Sequence, residues 1–235
     1  MDRFHVSVII PAYNAEHTIG EALDSVQKQT RAADEIIIID DGSEDRTAEY
    51  ATNHPSSPRI IRTKNQGAAA ALNRGIEHAS GNILAFLDAD DIWLPDKLEL
   101  QCKLIGIEPG IKMVLSYFET FICPSIPEEI IKRLVFPVGP QPGYLLGTLM
   151  ARSEVFTRYG NFDPELRTGY FIDWFSKIKC KGVNYKLLDD ILLKRRIRNG
   201  TLGQRTGNND RLSTDFVEIA RRAIARNRNN QTDIS

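Results

Sequence analysis

The sequence predicts an α/β fold built on a mostly parallel, twisted, Rossmann-like sheet flanked by helices. Three observations carry that expectation. Short β-branched runs alternate through the first half with segments whose apolar residues recur at helical spacing. One run, Ile36 to Ile39, is apolar at every position, as suits a parallel strand covered by helices on both faces. Polar clusters follow the runs at their carboxyl ends, where open α/β sheets take their ligands.

Taken in order, Val6 to Ile10 reads as a strand stopped by Pro11, which has no N–H to continue a ladder. Ile19, Leu23 and Val26 then mark a helix. The strand Ile36 to Ile39 ends at Asp40-Asp41-Gly42-Ser43, and a helix is expected from Asp45. Arg59 to Thr63 reads as a third strand, Ala68 to Ala79 as a helix closed by Gly81, and Ile83 to Leu87 as a fourth strand. Strands and helices alternating at this spacing imply right-handed crossovers and a doubly wound sheet.

The second half is less regular and reads as a smaller region. Pro95 to Ile107 is expected as a helix and Lys112 to Phe118 as a strand. Pro124, Pro127, Pro137, Pro140 and Pro142 break the stretch to Gly143 into loops around one short helix, Glu128 to Leu134. Tyr144 to Ala151 then reads as a strand, Phe171 to Cys180 as a helix, Tyr185 to Leu193 as a strand and Thr214 to Arg226 as an amphipathic helix.

With 235 residues, 42% of them hydrophobic, the chain can bury a substantial core. Its net charge of −1 hides an asymmetry: Lys194 to Ser235 holds ten basic and four acidic residues, +6 against −7 for the remainder. Arg221, Arg222, Arg226 and Arg228 read as a solvated helix face, or as a contact for an anionic acceptor, a lipid headgroup or a protein. Nucleic acid is a poor fit, because no aromatic residues interleave with these cations. Cys102, Cys123 and Cys180 lack C-x-x-C spacing and the four histidines are scattered, which argues for reduced thiols and against a zinc cluster. No apolar stretch reaches the roughly 20 residues of a membrane span, and the N-terminus lacks the apolar core of a signal peptide. A cytoplasmic location is expected, with peripheral membrane contact left open. Asn199-Gly200-Thr201 and Asn230-Gln231-Thr232 match glycosylation sequons, and without a secretion signal they read as accidental.

The most informative stretch is Leu87-Asp88-Ala89-Asp90-Asp91. If the preceding run is a strand, Asp88 and Asp90 fall on one side just beyond its carboxyl end. Two such carboxylates supply half a site for Mg²⁺ or Mn²⁺, and diphosphate oxygens and water supply the rest. The competing reading is an acidic turn capping the next helix. Neither G-x-x-x-x-G-K-[ST] nor G-x-G-x-x-G occurs, so NTP hydrolysis and dinucleotide binding lack their phosphate cradle.

Together, Val6 to Asn14, Asp40 to Asp45, Asn65-Gln66-Gly67 followed by Leu72-Asn73-Arg74-Gly75, and Leu87 to Asp91 resemble the family 2 glycosyltransferases of the GT-A fold. The resemblance is tight over about 5–105 and looser over 144–193. It implies that Pro11, Tyr13 and Asn14 belong to the nucleotide pocket and that Asp41, with Asp40, hydrogen-bonds the base. Asp88 would approach ribose or metal, and Asp90 would be the principal metal ligand. Gly67 and Ala68 to Ala71 would bring a helix N-terminus close to the nucleotide. By the same resemblance Asp173, in Gly169-Tyr170-Phe171-Ile172-Asp173-Trp174, aligns with the general base, although Ile172 replaces the usual preceding Glu. Arg198 stands where the family often carries a His, and a guanidinium there would pair with the diphosphate.

The implied activity is transfer of a sugar, with inversion, from a nucleoside diphosphate, UDP foremost, to a glycan, lipid-linked, small-molecule or protein acceptor. The implied organisation is a GT-A domain over 1–205, donor side to about 110 and acceptor side beyond, then a basic C-terminal helix and tail over 206–235. Two other readings stay open. A sugar nucleotidyltransferase would need a basic Gly-rich loop where Pro11-Ala12-Tyr13-Asn14 stands. A glycosyltransferase-like binding or scaffold protein would fit the departures at Ile172 and Arg198.

Overall fold

β1, Val6–Ala12, is buried along its whole length except at Pro11, because it pairs in parallel with a strand on each side and is covered on both faces. This computed structural model describes residues 4–124, 126–132, 136–197, 218–223 and 225–226. Pro11 stands past Ile9, the last β1 residue paired with its neighbour on one side, so its missing N–H breaks no ladder bond there.

Each crossover follows from the local pattern. α1, Ile19–Gln27, buries Ile19, Leu23 and Val26 and leads to β2, Glu35–Asp40. α2, Thr47–Thr52, begins two residues later than expected, because the Asp45 carboxylate accepts the Thr47 N–H at 2.9 Å and ends the loop there. β3, Arg59–Arg62, pairs with β2, and α3, Ala68–His78, returns the chain to β4, Ile83–Phe86, on the far side of β1. The expected alternation of strand and helix holds throughout this half. The β-branched side chains of β1 then divide by strand period: Val8 and Ile10 pack with Leu23 and Leu98, whereas Ile9 packs with Leu72 and Phe86 on the other face.

β5, Ile92–Trp93, precedes α4, Lys97–Ile107; β6, Met113–Ile122, and the short α5, Glu128–Ile131, and β7, Gln141–Pro142, follow. The strand expected over 144–151 is instead a 3₁₀ turn, Leu146–Thr148, and a short β8, Met150–Arg152. The reason is local: the Thr148 hydroxyl bonds back to the Gly143 and Leu145 carbonyls, bending a backbone that the apolar pattern leaves extended. α6, Glu154–Tyr159, carries no helical signal strong enough to have been expected. α7, Tyr170–Cys180, and β9, Tyr185–Ile197, agree with expectation, β9 running four residues longer. The residues described between 218 and 226 are helical.

The sheet order is β3-β2-β1-β4-β8-β6-β9-β5, with β7 on β6. The long ladders are parallel, and antiparallel pairing is confined to the short joins at β8, β5 and β7. The order reverses between β1 and β4, which places a crevice beyond their carboxyl ends.

One core group is unusual. Lys97 is fully buried, its ammonium bonded to Gln101 and the Thr148 carbonyl and seated 4.8 Å from the Trp93 ring centre. Burial pushes its pKa down from 10.5 to about 7. Between those values the unfolded chain binds a proton that the folded chain lacks, so stability rises with pH across about 7 to 10.5 and is lowest below that window. Urea unfolding followed over this range should show a rise of up to about 1.4 kcal/mol per pH unit. Lys97→Met should remove that rise; an unchanged slope in the variant would exclude Lys97 as its source.

Candidate functional site

The crevice beyond β1 and β4 is a cleft of about 390 Å³. β1 delivers Pro11 and Tyr13 to it, β2 delivers Asp41, the turn before α3 delivers Asn65 and Gly67, and the loop after β4 delivers Asp88 and Asp90. Tyr170, the first residue of α7, closes the far wall. Residues from widely separated parts of the chain thus face one space, because the strands that precede them end at one rim of the sheet.

Asp41 is held in place from several directions. Its carboxylate accepts the Gln66 N–H at 3.0 Å, the Gly67 N–H at 2.7 Å and the Thr63 hydroxyl at 3.1 Å. It therefore fixes the turn into α3 as well as lining the cleft. Gly67 sits at φ +98°, in the left-handed region that favours glycine, whereas the nearest atom a Cβ would meet is the mobile end of the exposed Arg167 side chain. The Gly67 N–H, expected to serve a nucleotide, is already bonded to Asp41. Asp41→Asn would turn an amide N–H toward these buried donors, at a cost of about 1–3 kcal/mol. Urea unfolding should register the loss, together with weaker nucleotide binding; unaltered stability would refute the tether.

The acidic loop concentrates charge. Asp91 is buried, and burial raises its pKa well above the carboxylate range, with the charges of Asp88 and Asp90 adding to the effect. The Arg196 N–H, donated to Asp91 at 2.8 Å, and the charge of Arg195 oppose that rise. Tyr170 is likewise raised above the tyrosine range, by burial first and by the Asp88 charge second, so it remains a neutral phenol in the cleft wall. An oxygen-only pair facing a cleft is the donor set that a hard cation takes. Among the described residues no group of three or more His, Cys, Asp or Glu is arranged to hold a metal. Asp88 and Asp90 thus fit a cation whose remaining ligands come from a diphosphate and water.

Other expected site residues lie elsewhere. Asp40 is completely buried beside the cleft and does not line it. One of its oxygens accepts the Ser43 N–H at 2.9 Å, and the other lies 3.1 Å from Arg62 Nε, out of line for a hydrogen bond and so an ion pair. Asn14, at φ +48°, ties two loops together: its N–H donates to the Ser43 hydroxyl and its side-chain oxygen accepts the Glu44 N–H. Asp173 is buried in the first turn of α7, outside the cleft lining, where Arg226 donates to its carboxylate at 2.9 Å and to its carbonyl at 3.1 Å. Arg198 lies outside the described residues. Tyr170 and Asn65 were not expected as cleft residues; their only sequence signal is membership of the Gly169-to-Trp174 and Asn65-to-Gly67 motifs.

With the cleft in view, comparison with known proteins identifies the frame that carries it. Residues 7–115 match the family model described as Glycosyl transferase family 2. Across that segment the chain is similar to glycosyl transferase family 2. The segment contains all of the cleft except Tyr170. An Escherichia coli relative, the UDP-Glc:alpha-D-GlcNAc-diphosphoundecaprenol beta-1,3-glucosyltransferase WfgD, is 45% identical over 122 residues, 51% of this chain and 47% of that protein. A Haemophilus influenzae relative named only as a glycosyltransferase is 30% identical over 184 residues, 74% of this chain and 61% of that one. The chain thus spans about half to three fifths of the length of these relatives.

Solved structures show the same architecture. Staphylococcus aureus TarS 1-349 in complex with UDP-GlcNAc matches at a TM-score of 0.74 with 21% identity, covering 94% of this chain and 66% of that one. The mannosyltransferase PcManGT from Pyrobaculum calidifontis, in complex with GDP-Man and Mn²⁺, matches at 0.67 with 24% identity, covering 93% and 65%. The fold is GT-A, as the sequence motifs imply.

Proposed function

We propose that the chain transfers a sugar from a UDP-sugar to an acceptor hydroxyl, with inversion at the sugar carbon. The observation that carries this reading is the convergence of Pro11, Tyr13, Asp41, Asp88 and Asp90 on one cleft at the reversal of strand order. Tyr13, 47% exposed at the cleft edge, offers a ring on which a nucleobase can stack, and the Asp41 carboxylate can accept a base N–H. Asp88 and Asp90 would hold Mn²⁺ or Mg²⁺, which when bound supplies Lewis acidity at the leaving diphosphate. The TarS complex with UDP-GlcNAc and the PcManGT complex with GDP-Man and Mn²⁺ support a nucleotide-sugar donor and a divalent ion.

Inversion requires a base on the acceptor side, and Asp173 is the proposed one; departure of its proton-accepting oxygen from Arg226 would precede its action. Among acceptors, a lipid-linked sugar is the first class to screen, given the acceptor in the name of the Escherichia coli relative. Among the described residues no helix is long and apolar enough to cross a membrane, so such an acceptor would be met at a bilayer surface. The pairing of Asp173 with Arg226 also favours a second reading, a protein that binds nucleotide-sugars without transferring them.

A thermal-shift panel decides between donors. UDP and UDP-sugars with Mn²⁺ should raise the melting temperature more than GDP-mannose or either component alone. Failure of every nucleotide to stabilise the chain would reject the donor site. Slow release of UDP from a UDP-sugar without acceptor would separate a transferase from a binding protein.

A further inference from the structure

We propose that Arg196 is the positioning residue of the acidic loop, fixing Asp90 so that its carboxylate meets a divalent cation. This rests on the donor reading above. The antiparallel register Ile92↔Lys194 and Trp93↔Leu193 between β5 and β9 carries on past the strand end to bring residue 196 beside residue 90. There the guanidinium is 95% withdrawn from solvent, its exposure being 5%. Arg196 Nε donates to the Asp90 carbonyl at 2.8 Å, and Nη2 donates to Glu21 Oε2 on α1 at 2.6 Å. Its backbone N–H donates to Asp91 at 2.8 Å, and its guanidinium carbon lies 4.6 Å from the Phe121 ring centre on β6.

One side chain thus joins the acidic loop to β9, β6 and α1. A carboxylate ligates well only if its backbone is held, because rotation of the carrying residue withdraws the oxygen from the ion. Bonding the Asp90 carbonyl from a buried, stacked guanidinium supplies that constraint, and the fixed fork of arginine reaches two acceptors that a lysine ammonium cannot span together. Arg196 does not line the cleft and reaches it only through the Asp90 carbonyl, which is why its role is indirect.

The test uses the full chain with UDP and Mn²⁺ alone as probes. Mn²⁺ binding in the presence of UDP is read from the electron paramagnetic resonance signal of free Mn²⁺, and UDP binding is measured by calorimetry with Mn²⁺ and again with EDTA. Arg196→Met should weaken Mn²⁺ binding by about 10–100-fold, the range typical of partners that orient a metal ligand. Arg196→Lys should recover part of that loss, and UDP affinity in EDTA should stay within about twofold of wild type. Glu21→Gln, at a half-exposed side chain on α1, releases the other end of the fork without opening the core and should show a smaller loss of the same kind. It carries the test if Arg196→Met does not fold. Equal loss of UDP affinity with and without Mn²⁺ would mean general loosening and overturn the assignment, as would unchanged Mn²⁺ binding in the folded variants. A wild-type chain that takes up no Mn²⁺ with UDP would overturn the donor reading and this assignment together.

Discussion

Asp90→Ala is expected to abolish the Mn²⁺-dependent part of UDP stabilisation and to reduce sugar transfer by about 10²–10³-fold. Two carboxylates at the cleft can hold the ion, and removing one leaves a single protein ligand, which a strongly hydrated cation does not favour over water. Lewis-acid stabilisation of a departing diphosphate is worth several kcal/mol, and each 1.36 kcal/mol is about tenfold in rate, which sets the expected loss. The effect should be specific. Asp90 lies at the cleft and outside both large hydrophobic clusters, so the melting temperature of the free chain should move little. Asp88→Ala should act in the same direction. The measurement is a Mn²⁺ titration of UDP-induced thermal shift beside turnover of a UDP-sugar. An Asp90→Ala protein that keeps the wild-type response to Mn²⁺ would remove the ion from the proposed chemistry.

Asp173→Asn should lower transfer by about 10²–10⁴-fold, the range of a general base, while leaving UDP-sugar affinity intact. The opposing expectation comes from the ion pair to Arg226 and from Arg222, which bonds Asp163 at 2.7 Å and lies 3.9 Å from Asp173. If Asp173 serves only to anchor the C-terminal helical segment, Asp173→Asn and Arg226→Ala should loosen that segment equally and reduce transfer by similar small factors. If it is the base, Asp173→Asn alone collapses turnover, and Arg226→Ala keeps or raises it by freeing the carboxylate. Comparing kcat and hydrogen exchange of the two variants resolves the matter: parallel behaviour defeats the base assignment.

What could be read from the chain follows how locally each feature is encoded. The strands of the first half announce themselves through β-branched runs that no other local structure accommodates as well, and the helices through apolar spacing. Asp88 and Asp90 are legible from their place just past an apolar strand, although β4 ends at Phe86 and a turn closed by the Asp91 N–H on the Asp88 carbonyl, not strand alternation, carries both to the cleft. Asp41, Pro11, Tyr13 and Gly67 follow because a parallel sheet delivers every strand end to one rim.

Where local pattern and contact compete, the pattern misleads. The apolar run 144–151 reads as one strand, yet the Thr148 hydroxyl folds it into a turn. Asp40 and Asn14 lie inside the same motifs as the cleft-lining residues, but buried Ser43 and exposed Arg62 hold one and the adjoining loop holds the other. The acidic pair and the alternation of strands and helices through the first half are therefore legible in the sequence alone. The place of Tyr170 in the cleft wall, the pairing of Asp173 with Arg226, the burial of Lys97 and the grip of Arg196 on a loop 106 positions away were settled only by tertiary structure. Hydrogen bonds and burial between distant segments depend on how the layers pack, and no local periodicity carries that information.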